Sequence, residues 1–129
     1  MSIEDRIKEL GHALPDSPRP IANYVGAVQT GNLVFVSGHG PRGAGGERPI
    51  GKVGRELTRE QGYEAARFCI LGGLASLKTV IGELDRVQRI VKLLGMVNCT
   101  EDFAEQPFVI NGASDLLVEL FGDRGRHAI

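Results

Sequence analysis

The chain has little that would mark a nucleic-acid or membrane protein. Lys and Arg number 15 against 16 Asp and Glu, for a net charge of -1. That balance offers no general attraction to nucleic acid or to an acidic membrane, and no Lys/Arg run makes a local basic patch. Aromatic residues are only 5% of the 129, too few to build a platform for stacked bases. The longest apolar run, Phe68 to Leu77, is interrupted by Gly72, Gly73 and Ser76 and is too short to cross a bilayer. The N-terminus lacks the charged-then-apolar layout of a signal peptide, so a cytoplasmic location is expected. Cys69 and Cys99 fit no close metal or redox spacing and read as buried, reduced thiols. His12, His39 and His127 are far apart, so no metal-binding pair is present. A G-x-S-x-G elbow, a P-loop and a dinucleotide fingerprint are all missing. Neither a metal nor a cofactor is expected.

What remains is ordinary soluble-domain composition, 42% apolar and 24% charged, in a length that suits one domain over 1–129. The chain is organised around Tyr24 to Gly40, which reads as strand, tight turn, strand and glycine-rich exit. Leu33 to Val36 are four apolar residues in a row, the mark of a strand buried on both faces. That strand delivers Ser37 into Gly38, His39 and Gly40, where missing side chains would let a ligand approach the backbone. A plain strand-to-loop exit gives the same pattern.

In order, Ser2 to Leu14 is expected to form an amphipathic helix, capped by Ser2 and Asp5. Pro15, Pro18 and Pro20 then stop it, so residues 1–20 form a helix and a proline-rich connector. The helix could pack on the core or on a neighbouring subunit. Ala22 to Gln29 is the first strand, Thr30-Gly31-Asn32 the turn with Gly and Asn supplying positive φ, and Leu33 to Ser37 the second strand. Many of the 18 glycines fall around a long loop from Arg42 to Arg55, with Gly51 to Gly54 as a short edge strand. Thr58 and Gln61 form a capping box for a helix of about six turns running to Leu84. Gly72 and Gly73 inside it suit close approach to a sheet. Arg89 to Asn98 reads as a third main strand, apolar on both faces. Asp102 and Glu105 make a second capping pattern, Pro107 suits the first turn, and Gly122 ends the helix.

This order implies an α+β fold, a mainly antiparallel sheet with two long helices on one face. Two helices cover one face only, so the other apolar face calls for a partner subunit and predicts a homo-oligomer. Tyr24 could pack in the core or reach a ligand. Asn111, beside the apolar stripe of the last helix, could be an exposed amide or point into a pocket. His39 could titrate near neutrality.

Ile21-Ala22-Asn23-Tyr24-Val25, then Gly31-Asn32-Leu33, then Val36-Ser37-Gly38 resemble the opening of the RidA/YjgF family, reactive intermediate deaminases once described as translation inhibitors or endoribonucleases. Gly46-Glu47 and Pro49 resemble the family's third-strand loop. Ile90-Val91-Lys92, Val97 and Asp102-Phe103 resemble the strand after its first helix, and Asn111 takes its helical asparagine position. The resemblance covers about Pro20 to Ala128; the N-terminal helix, and His39 where the central family has glutamine, resemble a divergent branch. It implies a chorismate-mutase-like fold, a homotrimer with clefts between subunits, and hydrolysis of enamine/imine intermediates to 2-keto acids with release of ammonia. It implies Tyr24, Ser37 and Asn111 as catalytic cleft residues, with Gly38 and His39 binding the ligand and no metal. The family's carboxylate-binding arginine falls where this chain has Ile129, and its last two strands and a late glutamate have no counterpart here. A non-catalytic trimer binding a small keto-acid-like metabolite in the same cleft is the alternative; an endoribonuclease fits the charge and aromatic content least.

Overall fold

The structure, a computed structural model, describes residues 1–17 and 19–129; Pro18, one of the three prolines expected to stop the first helix, lies outside them. Helix α1 spans Ile3–Glu9. It begins as expected: the Ser2 hydroxyl accepts from the Asp5 N–H, and the Asp5 carboxylate accepts from the Ser2 N–H. It ends five residues before Leu14 because Gly11 turns to φ +84°. Gly11 N–H then donates to the Lys8 carbonyl and His12 N–H to that of Ile7, the paired bonds that close a helix on a left-handed glycine.

The sequence left open where α1 packs, and the structure puts it on the core. Ile3 and Ile7 are buried against Leu84, Leu116 and Leu120. Polar ties flank them: the Asp85 carboxylate accepts from the Ile3 N–H at 2.9 Å, and Arg6 donates to the Leu120 carbonyl at 3.3 Å.

Strands β1 (Ala27–Thr30) and β2 (Leu33–Val36) form an antiparallel hairpin, with Val28 opposite Phe35 and Thr30 opposite Leu33. The loop is Gly31-Asn32 alone. Only Gly31 takes positive φ, at +56°, so the expected role for Asn32 is not used. The first strand starts later than expected because Tyr24 N–H donates to the Ala22 carbonyl, a tight turn that breaks the extended run.

Helix α2 (Arg59–Ile81) is capped by the reciprocal Thr58–Gln61 bonds and ended by Gly82 at φ +85°. Leu84 therefore falls outside it, buried in a short 3-10 turn over Leu84–Arg86. Helix α3 (Gln106–Phe121) carries the expected stripe of Val109, Ala113, Leu116, Leu117 and Leu120, all buried. Its N-terminus differs from expectation. Glu105 makes no side-chain cap, and Asp102 instead accepts the Thr100 hydroxyl. The two helices touch through backbone at Gly112, where a Cβ would lie 1.9 Å from the Tyr63 carbonyl oxygen.

The third strand does not form. Residues 89–98 carry Leu93 and Val97 half-buried and Leu94 and Met96 exposed, but among the described residues the one sheet is the β1–β2 hairpin. Parallel bridges join Lys92 to Ala128 and Val53 to Cys99; Val53 is all that the expected edge strand contributes. A ladder needs a neighbour along its length, and among the described residues none pairs with the stretch between Leu93 and Asn98. Nor are the strands buried on both faces within one chain. One face lies toward α2 and α3. On the other, Val28, Phe35, Leu94 and Met96 are exposed, Phe35 by 60% and Met96 by 85%.

Candidate functional site

Between the end of β2 and the extended 90–98 segment lies a cleft of about 540 Å³, floored by α2 and α3. Ser37, Gly38 and His39 form one end of it, Lys92, Met96 and Asn98 line the opposite wall, and Gly73, Leu77 and Ala113 lie along its floor. Strand β2 brings the first three together. The Ser37 N–H donates to the Gly26 carbonyl, which ends the hairpin and turns the chain across α2.

His39 is held at both ring nitrogens. Its Nδ1 lies 2.6 Å from the Ser37 carbonyl oxygen, and its Nε2 lies 2.8 Å from the Ser76 hydroxyl. A carbonyl only accepts, so Nδ1 carries the proton and, in the neutral ring, Nε2 accepts from Ser76. Ser76 is 1% exposed, and the neighbouring turn of α2 gives the ring room: a Cβ at Gly72 would meet it at 3.4 Å. The expectation that Gly72 and Gly73 serve close approach is met there by a histidine ring as much as by the strand. The Ser37 hydroxyl donates to the Val25 carbonyl at 2.5 Å. Nothing lies within 4 Å of a Cβ built on Gly38, so its backbone faces open space.

The remaining expected residues lie apart from this cluster. Tyr24 is 46% exposed before β1, and Asn111 is exposed on α3; neither lines the cleft, although Ile110 and Ala113 beside Asn111 do. Two residues carry more of the site than the sequence suggested. Ser76 orients His39, and its only sequence signal is a serine inside a buried apolar stripe. Lys92 is the one charged side chain among the described lining residues. Cys69 also lines the cleft, and burial pushes its thiol up to about 11, which makes it a poor nucleophile at neutral pH. Among the described residues, no group of His, Cys, Asp and Glu could hold a metal ion.

The same staple recurs at the other end of the chain. His127 Nδ1 lies 2.6 Å from the Gly125 carbonyl, and its Nε2 lies 2.8 Å from the Ser114 hydroxyl on α3. Each histidine thus ties an extended segment to one helix, His39 to α2 and His127 to α3.

Residues 4–129 match the family described as "YjgF/chorismate_mutase-like, putative endoribonuclease". The chain belongs to this family. Its fold is therefore the chorismate-mutase-like one, with a small antiparallel sheet against helices. Among the family's relatives, the chain is 42% identical over 123 residues to Protein TCP17 of Trypanosoma cruzi, covering 95% of this chain and 77% of that protein. A solved structure of Atu1372 from Agrobacterium tumefaciens, a protein of unknown function, is 41% identical with a TM-score of 0.89; the match covers 98% of this chain and 77% of the other. A solved "putative endoribonuclease" from Shewanella oneidensis MR-1 is 35% identical with a TM-score of 0.94, over 100% of this chain and 86% of the other.

Proposed function

We propose that the protein is a RidA-like enzyme that hydrolyses reactive enamine or imine intermediates to 2-keto acids and ammonia. The observation that carries this reading is the convergence of Ser37, Gly38 and His39 at the open end of an apolar cleft, in a chain of the YjgF family. The reaction balances simply. Water adds to the imine carbon, the C–N bond breaks, nitrogen leaves as ammonia, and the carbon becomes a ketone. Such a reaction needs a substrate held in place, a polarised carbon and an oriented water. Lys92 supplies a cation for the substrate carboxylate, although an ammonium lacks the two-pronged grip of a guanidinium. The open backbone at Gly38 and the Ser37 hydroxyl are the polar groups nearest the reacting end, and Tyr24 and Asn111 would join them from a neighbouring subunit. That assembly is a trimer in which each subunit covers the exposed Val28, Phe35, Leu94 and Met96 of the next, in the cytoplasm.

A second reading has its own support. The Ser37 hydroxyl and both nitrogens of His39 are already bonded within the chain, which suits a binding protein for small keto acids better than an acid–base catalyst. An endoribonuclease, the activity in the Shewanella protein's description, finds little support in a chain of net charge -1. The test is to generate a 2-imino acid in place with an amino-acid oxidase and to follow keto-acid formation with and without the protein. Acceleration supports the enzyme. Keto-acid binding by calorimetry without acceleration supports the binding protein, and salt-sensitive RNA cleavage supports neither.

A further inference from the structure

We infer that a second pocket, between the end of α1, the glycine loop over 43–47 and the middle of α2, is a binding site for a guanidinium group.

The pocket holds about 190 Å³ and shares no lining residue with the cleft around Ser37, Gly38 and His39, so it stands apart from the proposed activity. Three elements build it. Gly11 ends α1 and turns His12 back toward the body of the protein. Helix α2 contributes Glu64, Phe68 and Leu71, whose spacing puts them on one side of the helix. The glycine loop contributes Glu47.

That loop is shaped around the Glu47 carboxylate. Gly43 N–H donates to the Glu47 carbonyl at 2.9 Å, and Gly46 N–H to the Gly43 carbonyl at 3.1 Å, which closes the loop on itself. A Cβ at Gly43 would lie 2.5 Å from Glu47 Oε1 and 3.0 Å from Phe68 Cε1, and one at Gly45 would lie 2.9 Å from the same oxygen. Bare backbone at both positions lets the carboxylate lie beside the aromatic ring. Glu47 is open to solvent, and none of the described ion pairs includes it. Arg42 and Arg48 flank it in sequence but line neither the pocket nor any of those pairs. Across the pocket, Glu64 pairs with Arg67, and the Glu119 charge acts on His12. The pocket's own charges are therefore net negative. His12 does not cancel them: burial and Arg67 hold its imidazolium below the usual range, so at pH 7 the neutral ring offers an acceptor nitrogen.

These groups select among occupants. An anion is repelled. A bare metal ion finds too few ligands, because among the described residues no three of His, Cys, Asp and Glu stand close enough to hold one. A compact ammonium is strongly hydrated and makes a point contact. A guanidinium is planar and weakly hydrated. Its fork meets a carboxylate in two parallel bonds, a further N–H can donate to the imidazole, and its face packs on an aromatic ring. The protein already satisfies one guanidinium this way: Arg59 lies 4.4 Å from the centre of the Phe108 ring and donates to Glu105 at 2.5 Å. Size agrees as well. A cavity of about 150 Å³ holds benzene, so this pocket takes a guanidinium carrying a short alkyl stem.

The probes are ethylguanidinium and ethylammonium, added to the 129-residue protein while backbone amide shifts are followed by NMR. Ethylguanidinium should move Gly11 to Ala13 and Gly43 to Glu47 saturably, with a dissociation constant on the order of millimolar, as suits so small a ligand. Ethylammonium should bind at least tenfold more weakly. Glu47→Gln should weaken ethylguanidinium at least fivefold, whereas Glu60→Gln, which removes a carboxylate already paired with Arg59 elsewhere on α2, should leave it unchanged; melting curves check that both variants fold. An end-capped Gly-Arg-Gly peptide is the second probe. Tighter binding than ethylguanidinium supports a guanidinium carried by a polypeptide, weaker binding a free small molecule, and both uphold the site. No saturation by either probe below about 50 mM overturns the inference. So does an equal response to ethylammonium, which is plain counter-ion attraction, or undiminished binding by Glu47→Gln. A divalent metal that moves the same amides at micromolar concentration also overturns it.

Discussion

Gly112→Ala tests how the two long helices are held together. A methyl at this position would sit 1.9 Å from the Tyr63 carbonyl oxygen, 2.7 Å from its carbon and 3.1 Å from its Cα. These are backbone atoms, so no rotamer change relieves the clash. Restoring ordinary contact requires α2 and α3 to separate by about 1.5 Å at the crossing, enough to forfeit much of the dispersion attraction between facing side chains. Alanine returns about 1 kcal/mol of helix propensity, and overpacking a rigid contact costs typically 1–3 kcal/mol or more. With the obstacle in the backbone, a net loss of about 2 kcal/mol is expected, a melting-temperature drop on the order of 8 °C for a chain of this size. Gly73→Ala is the matched control. It lies in the same kind of helix, but its nearest neighbour would be Val36 Cγ1 at 3.8 Å, so it should gain about 1 kcal/mol. Urea denaturation of both variants reads the difference. A Gly112→Ala protein as stable as the parent, or a Gly73→Ala protein equally damaged, would refute the packing described.

Three further predictions follow from single sites. Burial, and then the charge of Arg67, hold the His12 imidazolium below its usual 6.5, although Glu119 opposes this; the unfolded chain thus takes up that proton first, and stability should fall as pH drops through 6.5 toward the lower folded value. His12→Gln should flatten that part of a stability-versus-pH curve, and an unchanged slope would count against the half-buried ring. Tyr63 donates to Asp115 at 2.7 Å, and this bond together with burial pushes its hydroxyl up to about 12; ultraviolet titration should show a tyrosine ionising there, lost in Tyr63→Phe. Phe35→Asp places a charge on the exposed face opposite Val28 and should convert an oligomer to monomers in sedimentation velocity, whereas a parent protein that already sediments as a monomer would remove the subunit-cover argument.

How much of this was legible in the sequence depended on whether the signal was local. The Thr58–Gln61 cap, the Gly31 hairpin, the α3 stripe and the stop at Gly122 rest on interactions within a few residues, and each is where the pattern implied. The end of α1 went astray because the apolar repeat continued to Leu14 while Gly11, a backbone signal, ended the helix first. Asp102 looked like a cap, but the nearby Thr100 hydroxyl took its carboxylate. The 89–98 strand failed for the opposite reason: its period-two burial is present, yet a strand is made by neighbours, and pattern does not supply them. Ser37, Gly38 and His39 could be proposed from one short stretch because β2 delivers them in series. Ser76 and Lys92 reach the same cleft from other elements, and Gly112 matters only through a carbonyl 49 positions away in the chain (112 minus 63).

The most direct measurement is the rate of 2-imino acid hydrolysis by the parent protein and by Ser37→Ala at equal concentration, with circular dichroism to show that both are folded. The account predicts keto-acid formation clearly above the uncatalysed rate for the parent and at least a tenfold fall in the variant, equivalent to about 1.4 kcal/mol of transition-state stabilisation. No acceleration by the parent, or full activity without the Ser37 hydroxyl, would contradict it.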